Sequence, residues 1–156
     1  MEVIGTSKQL AQEHGINESN IYLDATGLGA AVYDRFRETG WDINGVNLSS
    51  QADEFEKYAN KRAEIYFRLR EWIKSGGMLE DNIGFYELGD IKYKLRSSGK
   101  LKIIDKDSLR RVGIPSPDVA DALALTFADP EETNNFAISR QVFATRQKQQ
   151  ITNRYE

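Results

Sequence analysis

The sequence contains no cysteine and a single histidine, His14, among its 156 residues. Without cysteine there is neither a disulfide framework nor a thiolate zinc site, and one histidine excludes a histidine-based metal cluster. No apolar run approaches the roughly 20 residues needed to span a bilayer, and the N-terminus lacks the basic-then-apolar pattern of a signal peptide. We therefore expect a cytoplasmic protein with no membrane partner.

What the sequence does contain is enough apolar residues, 40% of the chain, for one globular domain with a buried core. We assign that domain to residues 1–129. Residues 130–156 are polar and rich in Asn, Gln, Thr and Arg, which predicts a mobile tail or an interaction arm.

The N-terminal half alternates predicted helices and strands. A helix over residues 7–14 is followed by a short strand that ends at Asp24, a glycine turn, a helix over 30–39 and a strand over 43–48. Strand, helix, strand is a βαβ unit, so the fold class is α/β with a parallel pair of strands.

The second half begins with a long predicted helix over residues 55–75. Its apolar stripe (Ile65, Tyr66, Leu69, Trp72 and Ile73) is interpreted simply as core. Residues 91–96 and 100–104 alternate apolar and basic residues and predict a β-hairpin, and residues 106–112 predict one or two helical turns. The segment SPDVADAL, residues 116–123, then opens an apolar helix with Ser116 as N-cap.

Three aspartates are candidate metal ligands. Asp121 interrupts an apolar helix, where a charge is costly unless it is paired or bound. Asp118, one turn earlier, either joins it or merely complements the helix dipole. Asp24 ends a predicted parallel strand, where α/β sheets gather ligands, although an Asx turn into Thr26 would also explain it.

The charges of this sequence are unevenly distributed. The net charge is −3, yet residues 91–113 carry eight cations against two anions: Lys92, Lys94, Arg96, Lys100, Lys102, Lys106, Arg110 and Arg111 against Asp105 and Asp107. Beside a carboxylate-bound cation, such a surface would hold a polyanion. The alternative is a solvated hairpin with alternating lysines.

Carboxylates next to a cationic surface suit phosphodiester hydrolysis. Mg²⁺ and Mn²⁺ prefer carboxylate oxygens, and two such ions about 4 Å apart can activate water and stabilise the leaving oxygen. The turn glycines Gly27 and Gly29 form only a weak dinucleotide-binding signal, because Val32 stands where a third glycine belongs.

Four motifs together resemble the nuclease domain of bacteriophage large terminase subunits: LDATGLG at 23–29, YANKRAE at 58–64, IDKD at 104–107 and RVGIPSPDVADALA at 111–124. The resemblance covers about residues 5–128. It implies a ribonuclease H-like mixed sheet flanked by helices, similar to the Holliday-junction resolvases. It also implies metal-dependent cleavage of concatemeric DNA during genome packaging in the bacterial host cytoplasm.

Carried over by motif, the resemblance makes Asp24, Asp118 and Asp121 the catalytic, metal-holding residues of a site for two Mg²⁺ or Mn²⁺ ions. It makes Lys106 a phosphate contact and gives Asn60 and Arg62 a structural or DNA-facing role. With Lys106 and Arg62, the DNA-binding set comprises Lys92, Lys94, Lys100, Lys102, Arg110 and Arg111. The implied partners are double-stranded DNA, the terminase ATPase portion, the small terminase subunit and the portal.

The sequence departs from the family pattern at two points. Residues 1–5 do not supply the opening strand that carries the family's first catalytic aspartate, so we expect a domain that lacks its N-terminal strands and that carboxylate. No G-x-x-x-x-G-K-[ST] phosphate loop is present, so the ATPase motor is not expected in this sequence.

The sequence therefore supports three functional hypotheses. The first is a metal-dependent DNA endonuclease domain. The second is a catalytically incomplete DNA-binding or packaging-complex module, or a prophage remnant. The third is a nucleotide-binding α/β domain that uses the turn after Asp24.

Overall fold

The elements follow the predicted alternation of helices and strands. A computed structural model describes residues 2–81, 83–111, 113 and 115–129. The helices and strands are, in chain order, α1 (Glu2–Glu13), β1 (Tyr22–Asp24), α2 (Leu28–Glu38), β2 (Asn44–Val46), α3 (Lys61–Lys74), β3 (Tyr93–Leu95), β4 (Leu101–Ile103), α4 (Lys106–Arg111) and α5 (Asp118–Leu125). Two 3₁₀ segments, Glu18–Asn20 and Ile83–Asp90, lie between them.

The predicted βαβ unit is present as β1, α2 and β2. The two strands are parallel, and Asp24 pairs with Val46 at their carboxyl ends. Gly27 has a φ of +55°, a conformation that favours glycine, in the turn that reverses the chain. At Gly29, a Cβ atom would lie 1.8 Å from the carbonyl oxygen of Asp24, so only glycine lets α2 begin this close to the strand.

The long helix α3 begins six residues later than the sequence pattern predicts. Asn60 caps it, because its side chain accepts a hydrogen bond from the backbone N–H of Ala63. Residues 53–57 form turns instead, and Glu64 accepts hydrogen bonds from the backbone N–H groups of Asp53 and Glu54. The prediction of helix over residues 55–60 was wrong, since these long-range bonds outweigh the local apolar spacing.

The predicted hairpin is present as β3 and β4, an antiparallel pair in which Lys94 lies opposite Lys102. In the described residues the strands thus form two separate two-stranded sheets, one parallel and one antiparallel. The predicted tail, residues 130–156, lies outside the described residues.

The core that positions the remaining elements is built around α3. Ile65 and Leu69 of this helix are almost fully buried, and they join a cluster with Val46 of β2 and Ile103 of β4. Helix α5 packs against both α3 and β1, and the Ile83–Asp90 segment packs against α5. Within the described ranges, no helix combines the length and the apolarity that a membrane crossing requires.

Candidate functional site

Asp121 is the centre of the candidate site. It lies in the first turn of α5 and is only 8% exposed, in a helix whose other inward positions are alanine and leucine. The packing of α5 against α3 brings it to the polar tips of two α3 side chains.

One oxygen of Asp121, Oδ1, receives three donated hydrogen bonds. The Arg62 guanidinium donates from Nη2 at 2.9 Å and from Nε at 3.3 Å, and the Tyr66 hydroxyl donates at 2.5 Å. Arg62 and Tyr66 are four residues apart on α3, so both reach the same point from one face of the helix. Arg62 also donates to the carbonyl oxygen of Ile104, which ties the end of the hairpin to the site.

The other oxygen, Oδ2, is buried and receives no hydrogen bond from the described residues. The Lys106 ammonium lies 2.8 Å from it and supplies its counter-charge. Lys106 is 40% exposed and also lies 3.3 Å from Oδ1 of Asp118, so its ammonium bridges two carboxylates.

Burial by itself would raise the pKa of Asp121, because it penalises the charged form. Lys106, Tyr66 and Arg62 outweigh the burial and hold the pKa of this carboxyl below its usual range. The same burial, with the neighbouring Asp121 charge, raises the pKa of the Tyr66 hydroxyl. The site therefore contains an ionised aspartate and a neutral phenol at neutral pH.

Asp118 differs from Asp121 in that it is exposed. Its Oδ1 accepts a hydrogen bond from the Ser116 hydroxyl at 2.6 Å, and this bond, with Lys106, lowers the pKa of Asp118. The predicted N-cap role of Ser116 was wrong, because its hydroxyl binds Asp118 rather than the helix backbone. The cap comes from Glu87 of the Ile83–Asp90 segment, which accepts from the N–H groups of Val119 and Ala120.

Asp24 stands at the carboxyl end of β1, as predicted. Its Oδ1 accepts hydrogen bonds from the backbone N–H and the hydroxyl of Thr26, so the Asx turn that the sequence allowed is present. The contact between α5 and β1 places the two elements that carry Asp121 and Asp24 side by side. At Asp24, as at Asp121, the hydrogen bonds fall on Oδ1.

These residues fit a hard divalent cation held by few protein ligands. Mg²⁺ is usually bound by one or two carboxylates, with water and substrate phosphates completing its coordination. Asp121 Oδ2 is a buried oxygen whose positive partner is the partly exposed Lys106 ammonium, which a bound cation could replace. Over residues 2–81, 83–111, 113 and 115–129, however, no three Asp, Glu, His or Cys side chains are grouped to hold a metal ion. The described side chains alone thus do not support the predicted two-ion site.

The predicted DNA-binding residues separate into two groups. Arg62 is directed inward to Asp121, with its side chain 13% exposed, so its position favours the structural role that the motif left open. Asn60 likewise has the structural role of capping α3. The remaining predicted residues lie on the hairpin or on α4, and they comprise Lys92, Lys94, Lys100 and Lys102, Lys106, and the exposed Arg110 and Arg111.

The hairpin carries cations directly opposite one another. Lys94 pairs in register with Lys102, and the Arg96 N–H donates to the Lys100 carbonyl in the next pair. Like charges in such cross-strand pairs repel and destabilise a hairpin. None of these four side chains is in an ion pair with an acidic residue of the described chain.

Tyr66 and Glu87 are the site residues that sequence reasoning missed. Tyr66 fits the apolar stripe of α3 and was interpreted as core, but its hydroxyl reaches Asp121 from 55 residues away. The sequence signal that could have found Tyr66 is its position four residues after Arg62, which places the two polar groups on the same face of a predicted helix. No local signal marks Glu87, because its cap is formed between elements 32 residues apart.

Solved structures of the nuclease domain of a phage large terminase subunit share this fold, so the expected α/β fold class is confirmed. The predicted mixed sheet is not present among the described residues, whose strands form one parallel and one antiparallel pair. The solved structures that the chain resembles are of the large terminase subunit gp2 of bacterial virus Sf6. Its nuclease domain is 24% identical, with a TM-score of 0.61 over 80% of this chain and 70% of that one. A lysine-to-alanine variant of the same nuclease domain, solved with manganese, gives the same identity and TM-score over 80% of this chain and 71% of that one.

A further structure of that domain, the lysine-to-alanine variant with calcium, is 22% identical with a TM-score of 0.58, over 80% of this chain and 70% of that one. No protein-family model matches the sequence, and no curated protein matches it. At these identities the likeness establishes the fold.

Proposed function

We propose that this chain is the divalent-metal-dependent DNA endonuclease domain of a phage or prophage terminase large subunit, and that it cleaves concatemeric DNA during genome packaging. The observation that carries the proposal is Asp121. It is a buried, ionised carboxylate whose Oδ2 contacts the partly exposed Lys106 ammonium, and its helix packs beside the strand that ends at Asp24, in a fold shared with a terminase nuclease domain.

The proposed metal is Mg²⁺ or Mn²⁺, held by Asp121 and Asp24, with Asp118 nearby. Manganese and calcium in the Sf6 gp2 structures support a divalent ion. When bound, the ion would supply Lewis-acid activation of water and of the scissile phosphate. A second ion would need a carboxylate beyond those that the described residues group together.

The chain's own residues have three proposed tasks. Asp121 and Asp24 present oxygens to the ion, Lys106 contacts a phosphate from its position between the two α5 aspartates, and the hairpin cations hold the DNA backbone. Lys106 suits that task because its side chain is partly exposed and its ammonium is already at the carboxylates. The ATPase portion, the small subunit and the portal are the partners that this role implies.

A second candidate, a DNA-binding module without catalysis, is favoured by one specific observation. No three acidic side chains are grouped as a metal site in the part of the chain that the structure describes. In this version the cationic hairpin and α4 arginines bind DNA, and Asp121 serves the fold through Arg62, Tyr66 and Lys106. The two candidates differ in what the loss of the Asp121 charge should do.

The test compares the wild-type chain with Asp121→Asn in Mn²⁺ binding, nicking of supercoiled plasmid, and DNA binding. The control is Asp42→Asn, because Asp42 is exposed and far along the chain from the site. The endonuclease proposal expects Mn²⁺ binding and nicking in the wild type and in the control, and at least a tenfold loss of both in Asp121→Asn.

Wild-type protein that binds DNA but neither binds millimolar Mn²⁺ nor nicks plasmid would overturn the endonuclease proposal and support the binding module. In that case Asp121→Asn should leave DNA binding unchanged or improve it, because a negative charge near the phosphates is removed. Wild-type protein with no affinity for DNA would contradict both candidates.

A further inference from the structure

The two carboxylate oxygens of Asp121 have unequal surroundings. Oδ1 accepts three hydrogen bonds, two from Arg62 and one from Tyr66, whereas the partner of Oδ2 is the Lys106 ammonium at 2.8 Å. Both oxygens belong to a side chain that is nearly buried. The difference between the two oxygens is therefore set by contacts with protein groups and not by solvent.

An oxygen buried without a hydrogen-bond donor costs free energy, about 1–3 kcal/mol for a neutral group and more for a charged one. A cation offsets this cost, and in the described structure the Lys106 ammonium is close enough to do so. Lys106 is shared with Asp118 and is 40% exposed, so its ammonium can leave Oδ2 without being buried unpaired. Oδ2 is thus the oxygen that a bound cation can reach.

We propose that Tyr66 is a positioning residue: together with Arg62 it ties Oδ1 of Asp121, so that the aspartate offers Oδ2 alone to a divalent cation. This inference rests on the proposed function, since it concerns the ligand geometry of the same site. Asp121 then binds as a one-oxygen ligand whose orientation is set from α3. Tyr66 acts through Asp121 and touches neither metal nor substrate.

The two donors to Oδ1, Arg62 and Tyr66, differ in their other contacts. Arg62 also binds the Ile104 carbonyl, so it has a second role in holding the hairpin. The Tyr66 hydroxyl donates to Asp121, and its other polar neighbour is Arg62 of the same site, so removing it alters the surroundings of the carboxylate without breaking the link from Arg62 to Ile104. Loss of a hydrogen bond that orients a metal ligand typically weakens metal binding by roughly 10–100-fold.

The experiment measures the Kd of Mn²⁺ by calorimetry, and plasmid nicking as a function of Mn²⁺ concentration, for wild type and Tyr66→Phe. Tyr58→Phe is the matched control, because Tyr58 is an equally buried tyrosine that does not contact Asp121. We expect Tyr66→Phe to raise the Kd about tenfold, with nicking restored at about tenfold higher Mn²⁺. Tyr58→Phe should leave both unchanged.

Thermal unfolding without metal separates positioning from folding. A purely structural Tyr66 would lower Tm and leave the Kd of the folded protein unchanged, which would overturn the inference while the proposed function stands. Arg62→Lys is measured in parallel because lysine cannot donate two hydrogen bonds to Oδ1 as the guanidinium does. If Tyr66→Phe does not fold, Arg62→Lys should show the same rise in the Kd of Mn²⁺. A wild-type chain that does not bind Mn²⁺ would overturn both the inference and the proposed function.

Discussion

At the residue scale, Glu64 shows how this sequence tolerates a charge in its core. The side chain has no exposed surface, yet its oxygens accept from two backbone N–H groups and lie 3.1 Å from both Lys61 and Arg68. Burial would raise the pKa of Glu64, but these partners overcome it and lower the pKa. The charge is stable because every polar group around it is matched.

Replacing Glu64 with glutamine should cost about 2–3 kcal/mol of unfolding free energy at pH 7, because Lys61 and Arg68 keep only Asp53 as counter-charge. Since the folded pKa is lowered, the stabilisation is present above the unfolded pKa, about 4.3, and is lost as pH falls through the folded value. Urea denaturation from pH 7 to pH 3 should show the two proteins converging in acid.

The control for this prediction is Glu71→Gln on the exposed face of the same helix. Its ion pairs with Arg70 and Lys74 are exposed, so its loss should change stability by less than about 1 kcal/mol. A pH-independent difference between wild type and Glu64→Gln would contradict the ionised, paired state assigned to Glu64.

At the element scale, the start of α5 depends on a residue from another segment. Glu87 accepts hydrogen bonds from the N–H groups of Val119 and Ala120, at 2.9 and 3.0 Å. This carboxylate both satisfies two otherwise free donors and complements the positive end of the helix. The Ile83–Asp90 segment therefore fixes where the aspartate-bearing helix begins.

Glu87→Ala should destabilise the protein by about 1–2 kcal/mol, the usual cost of losing a helix cap. Because the freed N–H groups adjoin Asp121 in sequence, we also expect weaker Mn²⁺ binding in this variant. Glu80→Ala, an exposed glutamate before the segment, is the control and should be neutral in chemical denaturation. Equal stability of the two variants would show that the Glu87 cap contributes nothing.

Elements were more predictable from the sequence than the contacts between them. The βαβ unit could be recognised because Asp24, Gly27 and Gly29 mark a strand end and a turn within a few residues. The start of α3 could not, because residues 55–60 have helical spacing and only contacts with distant residues exclude a helix there. Glu64 binds the N–H groups of residues 53 and 54, and the backbone of residues 57–59 pairs with Leu101 of β4. The Asp121 surroundings combine residues up to 59 positions apart, which no local pattern encodes.

At the scale of the whole molecule, positive charge is concentrated in one stretch of an acidic protein. The stretch from 91 to 113 has an excess of six cations, although the net charge of the chain is −3. The structure places most of these cations on the β3–β4 hairpin and at the end of α4. A polyanion would therefore approach from the hairpin side, next to Lys106.

Replacing both Lys94 and Lys102 with glutamine should weaken DNA binding. If each lysine contacts a phosphate, the slope of log K against log salt concentration should become less steep by about two. Fluorescence anisotropy over a salt series measures the slope. The control, Lys8→Gln with Lys74→Gln, removes the same total charge from α1 and α3. An equal effect in the control would indicate net charge alone, and would contradict a hairpin-specific interface.

The facing lysines of the hairpin also link binding to local stability. Without a bound polyanion, the repulsion between the facing lysines makes the two strands separate more readily. A bound polyanion removes this repulsion and therefore stabilises the hairpin. A polyanion at one hundred times its Kd would add about 2.7 kcal/mol of stabilisation. When a polyanion binds, amide hydrogen exchange should therefore slow most at Tyr93–Leu95 and Leu101–Ile103. The exchange rates of the hairpin would then measure how much of the protein has polyanion bound.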